Sequence, residues 1–122
     1  MSTRSVVKVI NNGKSIELYH HCDGYPEGVG YCLLKIMEEY KTDEYSDINS
    51  LVMKMITKGN FEVTFYNHCD IEYFYELNFD KKQVNCMAVN NWNKTMEILE
   101  HIDLVYDKEK DAMVDEEIFE GV

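Results

Sequence analysis

Apolar and polar residues alternate near the start of the chain, and this pattern predicts a β-hairpin. Residues 5–10 are mostly β-branched, and residues 15–23 alternate with a period of two. Between them, residues 11–14 (NNGK) contain the Asn-Gly pair that favours a tight hairpin turn. The second strand carries Ile16, Leu18, His20 and Cys22 on its apolar face and Glu17, Tyr19, His21 and Asp23 on the opposite face.

After residue 24 the apolar residues take the 3.6-residue period of a helix. Gly24 is expected in a left-handed conformation that ends the strand, and Pro26 suits the first position of a helix. Two helices are predicted, with the apolar stripes Val29, Leu33, Ile36, Met37, Tyr40 and Ile48, Leu51, Val52, Met55, Ile56. Gly28 and Gly30 in the first turn indicate a close backbone approach, either by the sheet or by a ligand.

The second half of the chain predicts an antiparallel meander followed by a third helix. Strands are expected over residues 61–70, 71–79 and 84–89, and a helix from Trp92 to Leu104. The predicted fold is an α+β domain in the order ββαα-βββα. Its mostly antiparallel sheet has about five strands, and its helices pack on one face.

Composition narrows the possible partners. The 122 residues carry a net charge of −11, which argues against direct binding to nucleic acid, because such binding relies on Lys and Arg. The remaining partners are a cation, a basic protein surface or an uncharged molecule, and the oligomeric state stays open. Residues 1–102 are expected to form one domain, and residues 103–122, with eight acidic residues and two lysines, an acidic tail. No apolar run approaches the roughly 18 residues of a membrane span and no secretory signal is recognisable, so a cytoplasmic protein is expected.

The cysteines are expected to be reduced core thiols. No C-x-x-C pair is present, and Cys22, Cys32, Cys69 and Cys86 all lie among core-type residues. A thiol nucleophile is not favoured, because adjacent His and Cys side chains of an extended strand point to opposite faces.

The pattern Tyr-x-His-Cys-Asp occurs twice, over residues 19–23 and 66–70. If the two helices form a crossover between parallel, adjacent strands, the following side chains converge at one end of the sheet: His21, Asp23, His68 and Asp70. Two imidazoles and two carboxylates suit zinc, iron or manganese, so a divalent transition-metal site is one hypothesis. The other is that these residues lock turns and bind no cofactor.

The nine tyrosines suggest a protein-binding surface. One exposed sheet face is expected to carry Tyr19, Tyr66, Tyr73, Tyr75 and Trp92. Tyr side chains anchor many interfaces, and carboxylates commonly form the polar rim around them.

Residues 19–28 (YHHCDGYPEG) and 68–76 (HCDIEYFYE) resemble a family of small phage and prophage proteins of unassigned function. Its members share a strand, a His-x-Asp-Gly-Tyr-Pro turn, a helix and a later His-Gly-Asp-Ile-Glu-Tyr segment. Relatives carry Trp at the position of Cys22 and Gly at the position of Cys69, which argues against cysteine ligands. The expected binding residues are Tyr19, His21, Asp23, Tyr25, Tyr66, His68, Asp70, Glu72, Tyr73 and Tyr75.

The resemblance implies a small acidic accessory protein of a bacterial virus that acts by binding. The expected target is a host protein or an anti-phage defence protein with a basic surface. A CRISPR effector is one example, since an acidic protein can occupy its nucleic-acid channel. An anti-CRISPR-like inhibitor or modulator, more readily a binder than an enzyme, is therefore predicted. The alternative is a metal- or small-ligand-binding protein that uses the paired His-x-Asp segments.

Overall fold

The structure, a computed structural model, describes residues 3–43, 47–65, 68, 70–90 and 96–104. Its elements are β1 (Ser5–Asn11), β2 (Lys14–His20), a π-helical turn (Pro26–Gly30), α1 (Tyr31–Asp43), α2 (Ile48–Thr57), β3 (Phe61–Val63), β4 (Tyr73–Asn78), β5 (Gln83–Asn90) and β6 (Glu97–Ile102). The strands form one sheet in the order β3-β2-β1-β4-β5-β6, in which only β1 and β4 pair in parallel. The predicted α+β fold with a mostly antiparallel sheet is confirmed, with six described strands.

The β1–β2 hairpin has the predicted turn. Asn12 and Gly13 have positive φ angles of 54° and 72°, as the central residues of this turn require. The carboxylate of Asp80, in the turn between β4 and β5, accepts hydrogen bonds from the backbone N–H groups of Asn12 (2.7 Å) and Gly13 (2.9 Å). The two turns at this end of the sheet are therefore tied together.

Both helices pack on one face of the sheet through their predicted apolar stripes. The fully buried residues of this main core include Val7, Leu18, Val29, Leu33, Met37, Met55, Phe61, Tyr75, Leu77 and Cys86. Asp47 caps α2, because its carboxylate accepts hydrogen bonds from the backbone N–H (3.0 Å) and the hydroxyl (2.7 Å) of Ser50. Neither of the described helices combines the length and the apolar character needed to cross a membrane.

The turn after β2 differs from the predicted one. Asp23, not Gly24, has the left-handed conformation, with a φ of 54°. Gly24 is needed because its N–H donates to the carbonyl oxygen of Thr3 at 2.9 Å, and a Cβ there would lie 2.8 Å from the Cβ of Ser5. A Cβ at Gly28 would overlap the carbonyl oxygen of Asp23. The turn itself therefore makes the close backbone approach predicted for Gly28.

Three predictions about topology are wrong. β2 and β3 are adjacent but antiparallel, with His20 opposite Phe61, so the helices between them do not form a parallel crossover. β3 ends at Val63 and pairs with β2, so the meander consists of β4, β5 and β6. β6 lies where the apolar spacing predicts a helix. Its register against β5 shifts at a β-bulge, which breaks the alternation that would have marked a strand. Trp92 lies outside the described residues.

The opposite face of the sheet, here called the open face, has a second and smaller core to which no described helix contributes. It consists of Val6, Tyr19, Ile71, Phe74, Met87 and Val89. Three described residues of the connection between β3 and β4 lie on this face, namely His68, Asp70 and Ile71. The described ends of this connection are fixed by hydrogen bonds from the N–H of Thr64 to the carbonyl of Glu17 (3.0 Å) and from the N–H of Glu72 to the carbonyl of Arg4 (2.9 Å).

The described chain stays in contact with the main core up to its last described residue, Leu104. Ile102 and Leu104 both pack against the main core. The prediction of an acidic tail concerns residues 103–122, and residues 105–122 lie outside the described part of the chain.

Candidate functional site

The two His-Cys-Asp segments meet at the ring of Tyr19. The imidazole of His68 stacks on this ring, with centroids 3.9 Å apart and an interplanar angle of 17°. The imidazole of His21 meets the same ring edge to face at 4.7 Å and 89°. Three of the four side chains predicted to converge, His21, His68 and Asp70, therefore contact this one phenol, whereas Asp23 contacts Tyr25 instead.

Polar contacts hold each of these side chains in place. The Tyr19 hydroxyl donates to Asp70 Oδ2 at 3.0 Å, and Arg4 Nε lies 3.2 Å from the same oxygen. His21 Nε2 lies 3.1 Å from Glu62 Oε1, and His68 Nε2 lies 2.7 Å from the hydroxyl of Thr64. The resulting set, here called the Tyr19 cluster, consists of Arg4, Tyr19, His21, Glu62, Thr64, His68 and Asp70.

The electrostatics of the cluster favour a neutral phenol. Burial raises the pKa of Tyr19 far above its usual value, and the hydrogen bond to Asp70 raises it further. Asp70 Oδ1 is buried and accepts no hydrogen bond from the described residues. A buried acceptor without a donor costs free energy, so the contacts of Arg4 and Tyr19 to the other oxygen are what hold this carboxylate in place.

The expected alternation between outward histidines and inward cysteines is wrong at Cys22. β2 ends at His20, and Cys22 is exposed because the left-handed residue Asp23 turns the chain directly after it. Cys32 and Cys86 are buried as predicted, and burial raises the pKa of the Cys86 thiol to about 11. Such a thiol is a poor nucleophile. Cys69 lies outside the described residues.

The predicted tyrosine-rich exposed face is also wrong. Tyr19 is buried on the open face, whereas Tyr75 is fully buried in the main core on the other side of the sheet. Tyr73 is half-buried and packs against the same main core as Tyr75. Tyr66 lies outside the described residues. Tyr19 is opposite Val6, which is opposite Phe74, so the register of the paired strands places Tyr73 and Tyr75 on the other face of the sheet from Tyr19.

Three further predicted binding residues lie outside the Tyr19 cluster. The hydroxyl of Tyr25, which is exposed, donates to Asp23 Oδ1 at 3.2 Å. Glu72 is exposed, and its backbone N–H is bonded to Arg4. These contacts fit the turn-locking role that the sequence left open for Asp23.

A shared metal site finds little geometric support in the described residues. They contain no group of three or more His, Cys, Asp and Glu side chains that could hold one ion. His21 Nε2 lies against Glu62, and His68 Nε2 lies against Thr64. Elemental analysis of the native protein, with His21→Ala and His68→Ala as controls, tests the metal hypothesis directly.

The most exposed large apolar side chain of the described residues was not predicted. Phe65 is 93% exposed, and Val63 beside it on β3 is 39% exposed. Alternation places both on the apolar face with Phe61, but β3 ends at Val63 and only Phe61 is covered by the main core. The sequence contains no signal that separates Phe65 from a core phenylalanine.

A half-open groove of about 390 Å³ lies on the open face next to the Tyr19 cluster. Its apolar lining consists of Val6, Ile71, Phe74, Met87, Met96 and Ile98. Lys8, Glu17 and Glu76 lie along its polar side, and His68 links it to the cluster. We call it the open-face groove.

No family model, curated protein or solved structure matches this chain. The geometry of the site therefore carries the functional argument.

Proposed function

We propose that this chain is a small acidic accessory protein of the phage type that acts in the cytoplasm by binding another protein. The target is a host or anti-phage defence protein with a basic surface, which the bound protein inhibits or modulates. The proposal assigns a binding role and no catalytic step. Its support comes from the arrangement around Phe65 and from the charge of the chain.

Exposure of Phe65 is the observation that carries the proposal. An aromatic ring that is 93% exposed contributes little to the stability of the monomer, because its apolar surface stays in contact with water. Burial of the ring in a partner would remove that surface from water and favour binding. The backbone beside it is fixed, because the N–H of Thr64 is bonded to Glu17 and the Thr64 hydroxyl contacts His68. Because the neighbouring backbone is already fixed, less conformational entropy is lost when Phe65 is buried in a partner, which favours its use as an interface hot spot.

The charge around Phe65 indicates the chemistry of the partner. Glu62 is exposed on β3, three residues before Phe65, and the whole chain has a net charge of −11. A basic surface would be attracted at long range by this charge and would then bury Phe65 at short range. Binding of this kind weakens as salt concentration rises, because salt screens the attraction.

Affinity capture with the purified protein tests the proposal. Immobilised protein is exposed to host lysate over a range of salt concentrations, captured proteins are identified by mass spectrometry, and the affinity of each purified candidate is measured. Phe65→Ser is expected to weaken binding of the true partner about 30-fold, as loss of an aromatic anchor does. Met53→Ser is the matched control, since Met53 is 57% exposed on α2.

Recovery of no partner at any salt concentration would overturn the proposal. Equal weakening by the Phe65 and Met53 substitutions would show that the proposed anchor is wrong. Circular dichroism of each variant confirms that the fold is intact before affinities are compared.

A further inference from the structure

The open-face groove combines an apolar floor with a row of charges. Phe74, Met87 and Val6 lie side by side on three paired strands and form the floor. Met96 and Ile98, which are 41% and 46% exposed, form one wall. The floor is already nearly buried, so a ligand would contact it through a narrow opening rather than across a wide plane.

Three charged side chains form a row across neighbouring strands, two residues further along β1 and β4 than the apolar floor. Lys8 on β1 is directly opposite Glu17 on β2 and Glu76 on β4. Within the described part of the chain no ion pair joins these three side chains, and Asn85 is 3.5 Å from Glu76 Oε1. Two carboxylates and one ammonium give this row a net negative charge at the end of an apolar groove.

We propose that the open-face groove binds an extended peptide segment of the partner that presents an apolar side chain and, two residues later, an arginine or lysine. Residues i and i+2 of an extended peptide lie on the same side about 7 Å apart, which matches the step from the Phe74 row to the Glu76 row. The apolar side chain lies between the floor and Met96, and the basic group contacts Glu17 or Glu76. This inference rests on the proposed function, because it identifies the segment that the partner supplies.

Charge decides between this occupant and an acidic one. A carboxylate on the ligand would be attracted by Lys8 but repelled by Glu17 and Glu76. A guanidinium would be attracted by both of these carboxylates and repelled only by the Lys8 ammonium. The overall charge of −11 adds to the same preference. The affinity of an uncharged apolar ligand would not depend on these three charged side chains.

Synthetic tripeptides test the inference without knowledge of the partner. Backbone amide NMR spectra of the full chain are recorded with N-acetyl-Phe-Gly-Arg-amide at increasing millimolar concentrations. N-acetyl-Phe-Gly-Glu-amide and N-acetyl-Ala-Gly-Arg-amide are the matched probes for the charge and for the apolar anchor. The Phe-Gly-Arg peptide is expected to shift the amides of Val6, Lys8, Phe74 and Met87 and to bind about ten-fold more tightly than either control peptide.

Two double variants locate the effect. Glu17→Gln with Glu76→Gln is expected to weaken binding of the arginine peptide about ten-fold. Glu38→Gln with Glu39→Gln makes the same change in net charge on α1 and is expected to leave the affinity unchanged. Absence of shifts in the groove, equal binding of the glutamate peptide, or equal losses in the two double variants would each overturn the inference.

The outcomes separate this inference from the function on which it rests. Suppose that a partner binds the Glu17→Gln, Glu76→Gln variant with full affinity but binds Phe65→Ser more weakly. This result would support the proposed function and contradict peptide binding in the open-face groove. If the peptide binds in the groove but no protein partner can be recovered, the groove is a peptide-binding site and the proposed function is wrong.

Discussion

His68 stacks on Tyr19 with ring centroids 3.9 Å apart, and this contact joins the β3–β4 connection to the open face of the sheet. The two copies of the Tyr-x-His-Cys-Asp pattern have different tasks there. The first supplies Tyr19 at the centre and His21 at its edge, whereas the second supplies His68 above the ring and Asp70 at its hydroxyl. The repeated pattern thus builds one cluster that fixes the segment bearing Phe65.

Tyr19→Phe is expected to lower the free energy of unfolding by about 1–2 kcal/mol, because the hydrogen bond to a partly buried carboxylate is lost while the stacked ring remains. Urea denaturation measures the change. Tyr25→Phe is the control, since its hydroxyl contacts Asp23 at an exposed site and its loss should change stability by less than about 0.5 kcal/mol. Equal effects of the two substitutions would show that the Tyr19 hydroxyl does not stabilise the cluster.

Stability is expected to fall in alkaline solution through Tyr75. Burial raises the pKa of Tyr75 far above its usual value, and its hydroxyl donates to the carbonyl oxygen of Gly24 at 2.6 Å. Below the unfolded-state pKa of about 10 both states keep the proton and stability is complete. Above it the unfolded chain releases the proton first, which costs about 1.4 kcal/mol of stability per pH unit for each such tyrosine.

Tyr75→Phe isolates this effect. The variant should be less stable than the native chain near neutral pH, because the Gly24 carbonyl loses its donor. Its stability should then decrease less steeply above about pH 10, so that the two curves converge. Parallel curves in urea denaturation across this range would contradict the assignment.

Local patterns predicted local structure well, and long-range pairing poorly. The Asn12-Gly13 turn and the helix stripes follow from residue type and period, and both are confirmed. The antiparallel pairing of β2 with β3 depends on how the helices return the chain, which no local pattern specifies. The bulge in β6 breaks the alternation of its residues, so the sequence of this strand resembles that of a helix. β3 ends at Val63, which leaves Phe65 exposed, and no local pattern marks that end. Arg4 and Glu62 were missed because their partners come from distant segments.

Gly28→Ala is expected to destabilise the protein by about 1–3 kcal/mol, because the added methyl group would overlap the carbonyl oxygen of Asp23. That oxygen also accepts the N–H of Val29 at 2.9 Å, so it cannot move away without loss of this bond. Gly13→Asn is the comparison: Gly13 has open space around it and a φ of 72° that Asn tolerates. Thermal unfolding of both variants should show a large shift for the first and a small one for the second. A Gly28 variant as stable as the Gly13 variant would contradict the close approach.

The buried side chain of His20 is expected to stabilise the protein by joining the turn after β2 to the chain that follows α2. It is 1% exposed, and Nδ1 lies 2.5 Å from the carbonyl oxygen of Cys22 while Nε2 lies 2.9 Å from that of Gly59. The ring also packs on Phe61 at 4.5 Å between centroids. His20→Phe keeps an aromatic ring but removes both polar contacts, so it should lower the free energy of unfolding by about 2–4 kcal/mol in urea denaturation. Met53→Ser, at an exposed site on α2, is the control and should change stability by less than about 0.5 kcal/mol. Equal effects of the two substitutions would show that the contacts of the His20 ring do not stabilise the fold.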